Sequence, residues 1–309
     1  MYNKDQIKLV SNILDKNRTN YWTGSECKNF EKEFSDYHKV KYSVAVSNGS
    51  VALEIAIRSL NLVKNDHVIV SPRSFIVSAS CILNLGLTPV FADVDNNGNL
   101  NAKEISKIYS KKIKAIIIVH LNGLACDLDP IIKFVNKNKI FLIEDCSQAH
   151  GAKYKGKPVG SFGHISTWSF CQDKIISTGG EGGMISTNSK KIWEFCWSFK
   201  DHGKNYHSVF YKKHKSNFKW LHDNLGSNYR MTEMQAALGR YQLKFLDDQV
   251  KKRNQIVNLY LDNLKHFFEK DIFFKKIKFG YSETCLHAFY RLNLFLNEKR
   301  NQNKLIIKL

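Results

Sequence analysis

The chain has 309 residues and carries 47 Lys and Arg against 28 Asp and Glu, a formal net charge of +19. That length allows a sizeable core and implies one large domain with a smaller companion. No apolar run is long enough to span a membrane, and the opening MYNKDQIKLV has no signal-peptide core, so a soluble cytoplasmic protein without a membrane partner is expected.

Strand-like runs alternate with helix-like stretches along the first half of the chain. YSVAVS (42–47), HVIVS (67–71), PVFAD (89–93), KAIIIVH (114–120) and IFLIED (140–145) predict strands. SVALEIAIRSL (50–60), SFIVSASCILNLG (74–86) and DPIIKFVNKN (129–138) predict the helices between them. Strands apolar on both faces and flanked by helices indicate an α/β unit with a mostly parallel sheet, which binds ligands at the carboxyl ends of its strands. Beyond residue 160, HISTWSF (164–170) and GMISTN (183–188) predict two further strands, and KKIWEFCWSF (190–199) a helix. The polar, aromatic stretch 201–224 has no clear period and is long enough for a functional loop. Residues 228–268 predict long helical structure.

The charge raises the question of nucleic acid. Lysines are scattered from end to end, and the densest basic clusters, YKKHK (211–215) and FFKKIK (273–278), are short. With no basic tail and no nucleic-acid module, the charge reads as solvated surface compatible with an anionic small molecule. The seven cysteines, Cys27, Cys81, Cys126, Cys146, Cys171, Cys196 and Cys285, form no CxxC pair. Their odd number and dispersal argue against a disulfide framework or zinc site and for buried free thiols.

Four segments offer chemistry. In SNGSVALEIAIRSL, the turn Ser47-Asn48-Gly49-Ser50 opens a helix whose free N–H groups could hold a phosphate; it also reads as an ordinary turn with a capping serine. In FLIEDCSQAHG, Glu144 and Asp145 end a buried strand, where a carboxylate can hold a cationic ring nitrogen or a metal, or simply be solvated; no His and acid cluster at metal spacing accompanies them. In WSFCQDKIISTGGEGG, Lys174 is an amine able to form a Schiff base beside glycines that let the backbone approach a ligand; it equally suits a surface turn. In LGSNYRMTEMQAALGRYQL, Asn228 and Arg230 could reach a phosphate, or serve as a cap and a surface arginine. Taken together, an anion site, an acid, an aldehyde-reactive amine and further phosphate donors meet the requirements of pyridoxal phosphate. Walker and Rossmann glycine patterns are absent from the sequence.

These segments, with SPRSFIVSASCILNLGLTPVFADVD, VHLNGLACDLDPI and IEDCSQAHGAKYKGKPVGSFG, carry a resemblance to the sugar-nucleotide aminotransferases of the DegT/StrS type, in particular perosamine-synthase-like members. The resemblance runs from about residue 21 to 296. It implies a fold-type-I pyridoxal phosphate enzyme: a large cofactor-binding domain (1–240), its mostly parallel central sheet flanked by helices, and a small, incomplete C-terminal α/β domain (241–309). NLFLNEKRNQNKLIIKL resembles only the beginning of the family's small domain, so a truncated member that binds the cofactor but is catalytically weak is the alternative expectation.

The resemblance also implies roles. Lys174 would carry the cofactor as a Schiff base and act as acid and base. Asp145 would pair with the pyridine nitrogen, Gln148 lie near the ring and its phenolic oxygen, and Phe75 stack on the ring. Gly49, Ser50 and Ser169 would hold the phosphate, and Asn228 would reach the phosphate of a neighbouring subunit in a homodimer, with Arg230 near it. Glu181 would approach the sugar, and His150 would sit behind Asp145 or close to the cofactor. Outside those roles, Arg73 in SPRSF could meet an anionic substrate group or lie on the surface, and Cys171, three residues before Lys174, could be only a packing residue. The reaction implied is amination of a nucleotide-linked keto sugar, with L-glutamate as donor, for polysaccharide or similar glycan. A branch of the family has histidine at the lysine position and dehydrates instead; lysine here favours transamination.

Overall fold

The apolar runs dictate a sheet covered on both faces. The computed structural model describes residues 2–212, 222–269 and 284–294. In chain order the elements are α1 (Lys4–Asp15), α2 (Glu26–His38), β1 (Tyr42–Val46), α3 (Gly49–Arg58), β2 (His67–Val70), α4 (Val77–Asn84), β3 (Thr88–Phe91), α5 (Ala102–Lys107) and β4 (Ile113–Val119). There follow α6 (Leu128–Asn138), β5 (Phe141–Asp145), a small hairpin of β6 (Lys153–Tyr154) and β7 (Lys157–Pro158), β8 (Ile165–Ser169) and β9 (Gly183–Thr187). Helices α7 (Lys190–Phe199), α8 (Tyr206–Tyr211), α9 (Glu233–Leu243) and α10 (Leu246–Glu269) complete the series.

The seven-stranded sheet has the order β1-β9-β8-β5-β4-β2-β3. Strands β3, β2, β4, β5 and β8 pair in parallel, and β9 runs antiparallel to both β1 and β8. All seven predicted strands are therefore present.

Alternation along the strands divides the core. On β4, Ile116 and Ile118 join a cluster with Phe30, Phe34, Ile131 and Ala236, while Ala115 and Ile117 join one with Leu53, Ile57, Ile82 and Trp197. One face thus packs against α2, α6 and α9, the other against α3, α4 and α7, giving three layers. At ~25 cal/mol per Å² of apolar surface, such continuous burial is the main favourable term in folding. The cysteines follow suit: all seven are free, and five are buried.

The 228–268 stretch is two helices preceded by extended chain. Thr232 and Gln235 form a capping box that starts α9 at Glu233, and α9 ends before α10 begins at Leu246. Upstream, Asn228 and Arg230 make isolated bridges to Asp201 and Val46. Glu233 then serves a second helix. Its buried carboxylate accepts from Glu26 and Cys27 N–H at the start of α2, whose N-cap Ser25 makes no side-chain cap bond.

Within 201–224 the described part contains α8, and residues 213–221 lie outside the described residues, as do 295–309, where the start of a small-domain strand and helix is expected. Among the described residues no helix is long and apolar enough to cross a membrane.

Candidate active site

A cavity of ≈ 950 Å³ opens at the carboxyl ends of the parallel strands. The sheet topology delivers its lining from distant parts of the chain: Gly49 and Ser50 from α3, Asp145 from the end of β5, Ser169 from the end of β8, and Lys174 from the β8–β9 loop. Phe75, Gln148 and Glu181 line it too, as do Arg73 and Cys171.

Strand alternation separates the two adjacent acids. Glu144 points to the α2 face, where its oxygens accept from Gly160 N (2.8 Å), Phe162 N (2.8 Å) and Gly163 N (2.6 Å) and meet His120 Nε2 at 3.0 Å. Burial pushes its pKa up, but His120 and these N–H groups outweigh burial and leave it lowered. His120, Glu144 and Cys146 lie close enough to be a metal trio. His120 Nδ1 already accepts from Cys126 N at 3.0 Å, however, and Glu144 is saturated by backbone donors, which makes the group a structural clamp.

Asp145 points the other way, into the cavity. It is buried, and Oδ1 accepts from Ser147 N at 3.0 Å. Burial raises its pKa, and the Ser147 hydrogen bonds only partly offset this. A cation placed against it would restore the charged form.

Gly49 begins α3, whose N-cap Asn48 accepts from Val51 N at 2.9 Å and leaves the first N–H groups toward the cavity. Phe75 is 69% exposed, an aromatic face available to a flat ring. Gln148 is fixed by its Oε1, which accepts from Asn122 N at 2.7 Å. Glu181 receives a long contact from Cys171 Sγ at 3.8 Å. The Lys174 side chain is 16% exposed.

Three of the candidate residues do not line this cavity. Asn228 and Arg230 do not line the cavity; Arg230 Nη1 donates to buried Asp201 at 2.6 Å, and Asp201 also takes Lys204 at 2.9 Å and Trp22 Nε1 at 2.8 Å. His150 is buried outside the lining, between Trp168 and Phe170 at ring distances of 5.4 and 5.7 Å. Burial holds its pKa down at about 3, so it is neutral.

Sequence reasoning missed Asp173, Asn122, Tyr290, Arg291 and Asn293, which also line the cavity. Asp173 directly precedes Lys174 and could have been flagged as a charge partner. The last three belong to segment 284–294, whose path no periodicity announces.

The comparisons agree with this architecture. The chain is 39% identical over 256 residues to the GDP-perosamine synthase of Escherichia coli O157:H7, a match covering 81% of this chain and 67% of that protein. The X-ray structure of an aminotransferase from Psychrobacter cryohalolentis superposes with a TM-score of 0.96 at 43% identity, covering 100% of this chain and 80% of that one. The E. coli GDP-4-keto-6-deoxy-D-mannose-3-dehydratase, solved with bound hydrated PLP, gives 0.87 at 26% identity, covering 100% and 80% respectively. The model of the DegT/DnrJ/EryC1/StrS aminotransferase family matches residues 1–309, and the chain belongs to that family.

Proposed function

We propose that this protein is a pyridoxal phosphate-dependent aminotransferase that moves an amino group from an amino acid, L-glutamate in our reading, to a nucleotide-linked keto sugar. The product is an amino sugar for polysaccharide or similar glycan, made in the cytoplasm by a homodimer. The observation that carries this reading is the meeting of Lys174 and Asp145 in one cavity with the N-terminus of α3.

The residues present fit the cofactor. Asp145 is a buried carboxylate whose raised pKa calls for a cation, as a pyridinium nitrogen would provide. A Cβ on Gly49 would strike Ser169, so this glycine keeps a cradle open beside free N–H groups suited to a phosphate. When bound, pyridoxal phosphate acts as the electron sink for the substrate carbon that bears the nitrogen.

The protein supplies the rest. Gly49, Ser50 and Ser169 hold the phosphate, Phe75 covers a ring face, and Gln148 approaches the phenolic oxygen. Lys174 anchors the cofactor and then moves a proton at the substrate carbon. Glu181 faces the sugar. Asn228 reaches the phosphate in the site of the second copy, with Arg230 nearby, which accounts for their distance from the cavity of their own chain. We also divide the chain into a large unit (1–240) and a C-terminal unit (241–309), a boundary that falls within the last turn of α9.

The test is incubation with nitrogen-15 glutamate and a GDP-linked keto sugar, read by mass spectrometry. Label in the sugar product is expected. Loss of water from the sugar without label would replace this reading with dehydration.

A further inference from the structure

Lys174 is held by two side chains. Its Nζ donates to Asp173 Oδ2 at 3.0 Å and to the Tyr290 hydroxyl at 3.3 Å, and lies 4.9 Å from the centre of the Tyr290 ring. The Tyr290 hydroxyl donates to the same Asp173 oxygen. One carboxylate oxygen therefore receives both an ammonium and a phenol.

Tyr290 reaches the cavity because segment 284–294 is stitched to the large unit. Leu286 and Lys153 exchange backbone hydrogen bonds of 2.9 and 3.0 Å, Ala288 N donates to Gly123 O at 2.9 Å, and Arg291 N donates to Asn122 O at 3.2 Å. Arg253 and Asn254 of α10 grip the carbonyls of Phe289 and His287 at 3.2 and 3.0 Å. Phe289 has φ +46°, a left-handed conformation costly for an aromatic residue. Gly123 (φ +95°) has no room for a Cβ, which would lie 2.9 Å from both Phe289 N and Tyr290 N. The backbone is thus fitted to seat Tyr290 beside the amine.

We propose that Asp173 and Tyr290 are positioning residues that hold the Lys174 amine as an ammonium while no aldehyde is bound, with segment 284–294 supplying the tyrosine. This rests on Lys174 being the reactive amine of the proposed function. An amine attacks a carbonyl only after losing its extra proton. The ammonium would give that proton to solvent, the nitrogen would bond to the aldehyde carbon, and the carbonyl oxygen would leave as water with the two hydrogens the amine nitrogen gives up. A group that stabilises the ammonium slows the first event and keeps Lys174 in place until the aldehyde arrives.

The electrostatics agree from both ends. Burial lowers the Lys174 pKa, but hydrogen bonds to Asp173 and Tyr290 more than offset it and leave it raised. Burial raises that of Asp173, yet Tyr290 and Lys174 hold its carboxyl at about 2. Other charged or titratable groups face the same space: Asp145, Glu181 and Cys171, Glu54 from α3, Arg73, and Arg291, stacked at 5.3 Å from the Tyr290 ring centre. Arg253 grips the carbonyl of Phe289, and His150 is neutral. None of these is hydrogen-bonded to Lys174 among the described residues.

The test needs no cofactor. Cofactor-free protein is labelled with acetic anhydride across a pH series, and the Lys174 peptide is quantified by mass spectrometry with exposed Lys103 as the internal reference. Asp173→Asn should make Lys174 label about tenfold faster at pH 8, corresponding to a fall of about one pKa unit. Tyr290→Phe should shift the profile the same way by about threefold, and Asp173→Glu should restore the wild-type profile. Circular dichroism checks folding of each variant. A Lys174 profile unchanged in Asp173→Asn or Tyr290→Phe, or an Asp173→Glu profile that follows Asp173→Asn, would overturn the proposal. Failure of wild-type protein to bind pyridoxal phosphate through Lys174 would instead strike at the proposed function, whatever the labelling profile.

Discussion

Gly49 and Ser169 approach so closely that a Cβ on the glycine would lie 2.6 Å from the serine Cβ. The start of α3 and the end of β8 thereby form one wall of the cavity. Gly49→Ala would push them apart at a cost of about 1–3 kcal/mol. Pyridoxal phosphate should bind about tenfold more weakly to the variant, which an absorbance titration would measure. Unchanged affinity would remove Gly49 from the phosphate site.

Lys174→Ala should abolish covalent attachment of the cofactor and all turnover. Asp145→Ala should weaken cofactor binding and lower kcat by a factor of about 100 or more, because it removes the charge proposed to pair with the ring nitrogen. Steady-state kinetics and spectral titration separate the two effects. Retained turnover in the lysine variant would sink the mechanism.

Buried histidines set a direction for the pH dependence of stability. Burial lowers the pKa of His38 to about 4, and those of His150 and His287 to about 3. Unfolded histidine titrates near ~6.5, so between these values the unfolded chain binds more protons and stability falls as the pH drops. Glu144, with its lowered pKa, adds a further loss at still lower pH. Asp145 acts in the opposite sense: burial raises its pKa, so its contribution is lost as the pH rises through the folded value. The urea midpoint should be lower at pH 5 than at pH 7. His150→Phe should flatten that dependence by up to about 1.4 kcal/mol per pH unit. Equal slopes for wild type and variant would contradict the assignment.

Asp201 is fully buried and holds Arg230, Lys204 and Trp22 together. Burial raises its pKa, but the two cations outweigh burial and leave it lowered. Asp201→Ala strands both cations in a partly buried place, at a cost of about 3 kcal/mol. Equilibrium urea unfolding would measure it; a change within 0.5 kcal/mol, about the size of a neutral surface substitution, would show that the cluster is dispensable.

The sheet was legible because each strand carries its own apolar signature. Ala115 to Val119 are all buried, and a run of that kind needs cover on both faces wherever it lies. Asp145 and Lys174 were legible because each ends or follows such a strand. Tyr290 was not, since its place depends on a left-handed Phe289 and on backbone bonds to residues more than a hundred positions away. The division of labour between Glu144 and Asp145 needed the strand's orientation. The antiparallel course of β9 was likewise invisible, because an apolar strand reads the same in either direction.

Everything proposed for this cavity turns on Lys174 as the amine that carries the cofactor. The most direct measurement is borohydride reduction of the protein mixed with pyridoxal phosphate, followed by peptide mass spectrometry. A single stoichiometric pyridoxyl adduct on Lys174 is expected, accompanied by loss of the visible absorption band. A folded protein whose adduct is absent, or spread over surface lysines with Lys174 unmodified, would contradict it.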